Sequence, residues 1–201
     1  SHSVSKLDYG RMLAASLAYM ARRQKDAVGL LTFDSKLIRF TPARTRRGHY
    51  QTLLHHLDES EDGRETNISS SIQELASLMK KRSLVVLISD LYEDPAEVSK
   101  ALRFFHARGN DLVLMHLLDP AELDPPFSSL STLQDLETGD RKVFVPESRK
   151  RYLEETQKHL EQLKSQCAEV HIDYQLLNTE QPLDLAQWSA ILNKHFGGRD
   201  L

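Results

Sequence analysis

Leu84-Val85-Val86-Leu87-Ile88-Ser89-Asp90, followed by Leu91-Tyr92-Glu93-Asp94-Pro95, is the stretch whose reading decides the fold. The apolar run is too short for a helix and rich in β-branched side chains, so it reads as a strand buried on both faces. It ends in a carboxylate. An aspartate at the carboxyl end of a buried strand stands where open α/β sheets place their ligand sites. Asp94-Pro95-Ala96-Glu97 then starts a helix, with Asp as N-cap, Pro first, and Glu set to close a capping box. The helix is expected to reach Arg108 and stop at Gly109.

Working outward, a second long helix precedes the strand, from Asn67 to Lys81, with Ile68, Ile72, Leu75 and Met79 on one face. Further upstream, Asp8 to Arg23 carries Leu13, Leu17 and Met20 at helical spacing, with Ser16 small enough for a close helix–sheet contact. Ala27 to Phe33 reads as a buried strand, and Leu37 to Phe40 as a short edge strand with Lys36 and Arg39. A basic loop, Pro42-Ala43-Arg44-Thr45-Arg46-Arg47, leads to a helix over His49 to Leu57 and an acidic linker, Asp58 to Glu65.

Downstream, Asp111 to Leu118 reads as another buried strand. Residues 132 to 145 look like a hairpin turning at Thr138-Gly139. A helix over residues 147 to 168 carries Leu153, Thr156, Leu160, Leu163 and Cys167 on one stripe. A strand at His171 to Leu177 and a helix at Leu183 to Phe196 close the chain. Strands alternate with helices, which predicts a mostly parallel central sheet covered on both faces, in one domain over residues 1–201.

Composition narrows the function classes. The 201 residues are 40% hydrophobic and 27% charged, with a net charge of −3 that favours neither nucleic acid nor an anionic membrane as partner. The longest apolar runs, Leu84–Ile88 and Leu112–Leu118, fall short of the ~20 residues of a spanning helix. The single cysteine, Cys167, fits a reducing compartment, so a cytoplasmic location is expected. The chain opens at Ser1 in a polar stretch and reads as a fragment that begins in a loop.

Several cofactor signatures are missing: G-x-G-x-x-G, the P-loop, the G-x-S-x-G elbow, H-E-x-x-H and paired cysteines. Asp90 has two readings, a ligand-site carboxylate or a turn residue accepting backbone hydrogen bonds. Thr66, in Glu65-Thr66-Asn67-Ile68, is a helix N-cap or a hydroxyl ligand. A Thr hydroxyl and an Asp carboxylate on neighbouring loops offer hard oxygens to Mg²⁺, but two such groups hold the ion weakly. His116 reads as a hydrogen-bonded core residue, His55-His56 as surface decoration, and Cys167 as a core side chain with no visible base. Arg44, Arg46 and Arg47 lack interleaved aromatics, so they suit an acidic docking partner better than nucleic acid. Glu59, Glu61, Asp62 and Glu65 read as a solvated loop.

Lys6-Leu7-Asp8-Tyr9-Gly10 with Leu13-Ala14-Ala15-Ser16-Leu17-Ala18-Tyr19 resembles the helix after the first strand of a bacterial von Willebrand factor A-like family. The likeness continues through Asp26 to Asp34, Glu65-Thr66-Asn67-Ile68, Leu84 to Asp90, His116-Leu117-Leu118-Asp119-Pro120 and Asp135-Leu136-Glu137-Thr138-Gly139. The chain is similar to the domain-of-unknown-function family fifty-eight, whose members are commonly encoded beside MoxR-type AAA+ ATPases. The resemblance implies a three-layer, Rossmann-like von Willebrand A fold with a metal-ion-dependent adhesion site at the carboxyl edge of its sheet. By position Thr66 matches that site's threonine and Asp90 its late aspartate.

The family's Asp-x-Ser-x-Ser loop is not in the chain, which opens just downstream of its expected place. The domain therefore reads as N-terminally incomplete, its first strand missing and a gap left between the strands ending at Phe33 and at Asp90. The function expected is a non-enzymatic protein-interaction module, with Mg²⁺ on Thr66 and Asp90 accepting a partner's carboxylate. The partner implied is a MoxR-type AAA+ ATPase or its client, with no nucleic acid. Two alternatives stand beside it: a Mg²⁺-dependent phosphotransfer or hydrolytic enzyme using Asp90, and a metal-independent scaffold.

Overall fold

The computed structural model describes residues 4–34, 37–59, 68–79, 81–125, 131–134, 141–144 and 146–184, with positions 186, 188, 190 and 194. The elements in chain order are α1 (Lys6–Arg23), β1 (Val28–Phe33), β2 (Leu37–Arg44), α2 (His49–Asp58) and α3 (Ile68–Leu78). Then come β3 (Leu84–Ser89), α4 (Pro95–Ala107), β4 (Asp111–Leu118), the short α5 (Pro120–Leu123), β5 (Ser131–Gln134), β6 (Arg141–Phe144), α6 (Pro146–Glu169) and β7 (Asp173–Asn178). Ala186, Trp188, Ala190 and Lys194 are helical, within the stretch expected to form the last helix.

The parallel sheet has the order β3–β4–β7. Leu84 pairs with Asp111 and Val113 with Asp173, and both ladders run on in register. β4 alternates its side chains between two cores. Leu112 and Leu114 join Phe105, Leu102, Val98 and Leu163 on one face. Val113, Met115 and Leu117 join Tyr9, Leu13, Leu17 and Trp188 on the other. A strand buried on both faces has no polar side to show, which is why its sequence is apolar but for Asp111 at its start and the hydrogen-bonded His116. Each buried side chain of this size contributes about 1.5–3 kcal/mol.

β1 and β2 form a separate antiparallel pair, and β5 and β6 another. Among the described residues no ladder joins β1 to β3. Even so, α1 touches β1, β3 and β4, and Phe33 packs against the core that holds Leu87. β3 is as apolar as β4, yet only Leu87 of its six residues is fully buried, because among the described residues one of its edges has no neighbouring strand.

Local sequence explains most boundaries. Asp94 caps α4 by accepting from the Ala96 N–H at 2.7 Å, and the helix ends before Gly109, which takes φ +79. The expected capping box does not close there, since Glu97 extends toward Lys100 instead. α1 starts two residues earlier than its apolar stripe suggests because Ser5 caps it, accepting from the Asp8 N–H at 3.0 Å.

Ser16 is not the close contact between α1 and the sheet. Its hydroxyl bonds back to Met12 O, and Gly10 is the residue that a Cβ would bring within 3.3 Å of Leu117. β2 runs four residues further than expected, through Pro42 to Arg44. Pro is tolerated on an edge strand. The extension depends on Gly29, where a Cβ would lie 2.8 Å from Thr41 O, beside an irregularity in the ladder.

Candidate functional site at the carboxyl end of the parallel sheet

β3 delivers Asp90 and β4 delivers Asp119 and Glu122 to the same end of the sheet, where α1 begins. Lys6, in the first turn of α1, reaches both. Its Nζ lies 3.1 Å from Asp90 Oδ2, 2.9 Å from Glu122 Oε1 and 3.3 Å from the Tyr92 hydroxyl. The Tyr92 ring centroid is 4.7 Å away. Burial works against the Lys6 ammonium, but the hydrogen bond to Glu122 and the charges of Asp90 and Glu122 outweigh it and raise its pKa above the ordinary lysine value. At neutral pH the two carboxylates therefore share one permanent cation.

Glu122 is itself fixed. Its other oxygen accepts from the Asp119 N–H at 2.6 Å, closing a capping box on α5. The sequence carries a signal for this: Asp-Pro-Ala-Glu occurs after both β3 and β4, as Asp94 to Glu97 and as Asp119 to Glu122. Only the second copy closes its box.

The turn that carries Asp90 is strained and clamped. Leu91 is fully buried with φ +51, a left-handed conformation that costs a non-glycine residue about 1–2 kcal/mol. Its N–H donates to Ser89 Oγ at 3.2 Å. His116 of β4 lies 2.9 Å through Nε2 from the Asp90 carbonyl and 2.8 Å through Nδ1 from the Tyr174 hydroxyl. A carbonyl only accepts, so Nε2 carries the proton and Nδ1 accepts from Tyr174. His159 of α6 reaches the Leu91 carbonyl at 3.3 Å. Burial, with a smaller push from His159, lowers the His116 pKa to about 4, so it is neutral at physiological pH.

The other sequence candidates separate cleanly. Thr66 lies outside the described residues, as do Glu61, Asp62 and Glu65. The start of α3 just beyond Thr66 is tied to the first turn of α4, since Ser69 Oγ donates to Glu97 O at 3.1 Å. His116 is the core residue expected. Cys167 is buried, which pushes its thiol up to about 11. His55 is exposed beside Glu59, but its neighbour His56 is no decoration and holds Thr41 Oγ1 at 2.8 Å. Glu59 pairs with Arg39 at 2.6 Å. Among the described residues no group of three or more His, Cys, Asp or Glu side chains is arranged to hold a metal ion.

Fold and site first define a class: an α/β domain that gathers carboxylates at the carboxyl end of a parallel sheet. Within that class, the family model described as "Protein of unknown function DUF58" matches residues 1–162, and the chain belongs to this family. It is 26% identical over 142 residues to the uncharacterized protein Rv1480 of Mycobacterium tuberculosis and equally to the uncharacterized protein Mb1516 of Mycobacterium bovis. These matches cover 69% of this chain and 44% of each relative, so the chain spans less than half the length of the curated relatives it matches.

Two solved structures share the fold. One is an aerotolerance-related membrane protein from Bacteroides fragilis, with TM-score 0.62 and 13% identity over 94% of this chain and 86% of that one. The other is the conserved hypothetical protein BatB from Bacteroides thetaiotaomicron, with TM-score 0.60 and 15% identity over 96% and 89%. Among the described residues no helix is long and apolar enough to cross a membrane.

Proposed function

We propose that this chain is a non-enzymatic protein-interaction module that engages its partner at the carboxyl edge of the parallel sheet, around Asp90. The observation that carries this reading is the way polar groups there are consumed in holding shape. A carboxylate tied to an ammonium is held in place with its charge answered, and Asp90 and Glu122 are both tied to Lys6. His116 spends both ring nitrogens on internal bonds and is 1% exposed, out of reach of any substrate. What remains is a half-exposed rim on a rigid frame, which suits docking. A phosphatase screen of the protein and of Asp90→Asn tests the enzyme alternative, and turnover that Asp90→Asn abolishes would overturn this reading.

The resemblance to MoxR-associated proteins supplies the partner class, a MoxR-type AAA+ ATPase or its client, met on the cytoplasmic side. In the metal-dependent form of the proposal, Thr66 and Asp90 hold Mg²⁺ and the partner adds a carboxylate. The described residues do not fit that ion as they stand. Mg²⁺ demands several oxygens in near-octahedral array, and the Lys6 ammonium already sits between the available carboxylates.

Lys6 therefore favours the metal-independent form, in which a tethered ammonium takes the cation's place. Isothermal titration of the protein with Mg²⁺ decides between the forms. Binding that Asp90→Ala removes would restore the metal-dependent one, and partner capture unchanged in EDTA would support the other.

A further inference from the structure

The opposite end of α1 carries a second feature, independent of Asp90. The segments from Tyr19 to Val28 and from Arg44 to Tyr50 contain six cationic side chains, Arg22, Arg23, Lys25, Arg44, Arg46 and Arg47, against a single carboxylate, Asp26. Tertiary contacts bring these segments together. Arg44 pairs with Val28 in the β1–β2 ladder, and His49 Nε2 bonds to Val28 O at 2.8 Å, which seats the start of α2 beside the start of β1. Tyr50 then packs against α1: its ring centroid is 6.1 Å from that of Tyr19, its hydroxyl donates to Ala15 O at 3.3 Å, and the Arg22 guanidinium lies over its ring at 5.3 Å.

Tyr19, Arg22 and Arg23 line an open cavity of about 330 Å³ at this place. Tyr19 is 46% exposed, and all five arginines are exposed. Among the described residues none of these arginines has a carboxylate partner; Arg82 and Arg108 lack one too, but Arg108 is held by the Ala76 carbonyl, and Arg11, Arg39, Arg103, Arg149 and Arg151 are ion-paired.

The geometry points to a docking surface for an acidic segment of a partner protein, whose carboxylates meet the arginine forks while one of its side chains enters the cavity against Tyr19. Arginine presents planar paired donors that match carboxylates, and its face stacks on aromatic rings. Aromatics and arginine are the residue types that anchor interfaces. Charge complementarity selects an acidic peptide over nucleic acid. The net charge of −3 and the carboxylates at the other end leave this basic patch short, so a short acidic segment matches it and a long polyanion overruns it.

Fluorescence anisotropy with a labelled polyglutamate peptide carrying one central tyrosine tests this on the full chain. The peptide binds, and binding weakens steeply with added salt because exposed charges are screened. Arg22→Glu with Arg46→Glu lowers affinity about tenfold or more, and Tyr19→Ala lowers it with no change in net charge. Lys100→Glu, a single charge reversal on α4, leaves affinity unchanged. Circular dichroism confirms that each variant is folded.

Absence of binding, or equal losses in Lys100→Glu and the arginine variant, overturns the proposal. So does tighter binding of a single-stranded oligonucleotide or of phosphatidylserine vesicles than of the peptide.

Discussion

The two ends of α1 handle charge in opposite ways. At its start, Lys6 is drawn into a partly buried cluster in which one cation answers two carboxylates, and the turn beneath is clamped by two histidines. At its far end, arginines stand exposed around a tyrosine pair with no carboxylate partner among the described residues. Charge at the first end is spent on holding the fold, while charge at the second is held ready for something else. The difference teaches where to look for function: a satisfied network organises a surface, and an unsatisfied one offers it.

The largest effect is expected from His116→Ala, which breaks the clamp and leaves the Asp90 carbonyl and the Tyr174 hydroxyl without partners around a new cavity. Urea unfolding should show a loss of about 3–4 kcal/mol. A loss below ~1 kcal/mol would mean that the Asp90 turn holds itself.

Acid should loosen the same end without any substitution. His116 has a folded pKa of about 4 against an ordinary 6.5, so between those values the unfolded chain binds more protons. Its contribution is fully present above the unfolded value and is lost as pH falls toward the folded one, up to about 3 kcal/mol. The groups facing it are His159, Tyr174, Asp90 and Lys6. Melting temperature followed from pH 7 to pH 4 checks this, and His116→Gln should flatten that part of the curve.

Lys6→Met strips the cation from the carboxylate pair. The half-buried position limits the cost to about 1–2 kcal/mol. The informative readout is calcium or magnesium titration of the variant: a metal response present in Lys6→Met and absent in the parent would show that the ammonium occupies the cation position.

Arg22→Glu with Arg46→Glu should sit at the bottom of the scale, within ~0.5 kcal/mol of the parent in stability. A large destabilisation would show that the arginine end also serves the fold, and the contrast between the two ends would fail.

Much of the fold was readable because its signals are local. The mainly apolar runs of β3 and β4 announced strands with helices on both sides. Asp94-Pro95 and Gly109 marked the ends of α4 to within a residue. Asp90 was singled out because a strand end is a local event. Lys6, Glu122 and Tyr92 were not, because they lie 84, 116 and 86 residues from the atoms that make sense of them. The basic loop looked free of aromatics for a similar reason: Tyr19 belongs to another helix and meets Tyr50 only when α2 packs on α1.

Short-range periodicity, capping and motif in the sequence sufficed for the long helices, the buried strands, their order and the family, though not for the short α5. Tertiary structure alone decided that β1 and β3 share a core without sharing a ladder, that Leu91 is held left-handed, and that Asp90 answers to Lys6. Those outcomes depend on which distant groups become neighbours, and burial then turns a neighbour into a partner by removing the water that would otherwise satisfy it.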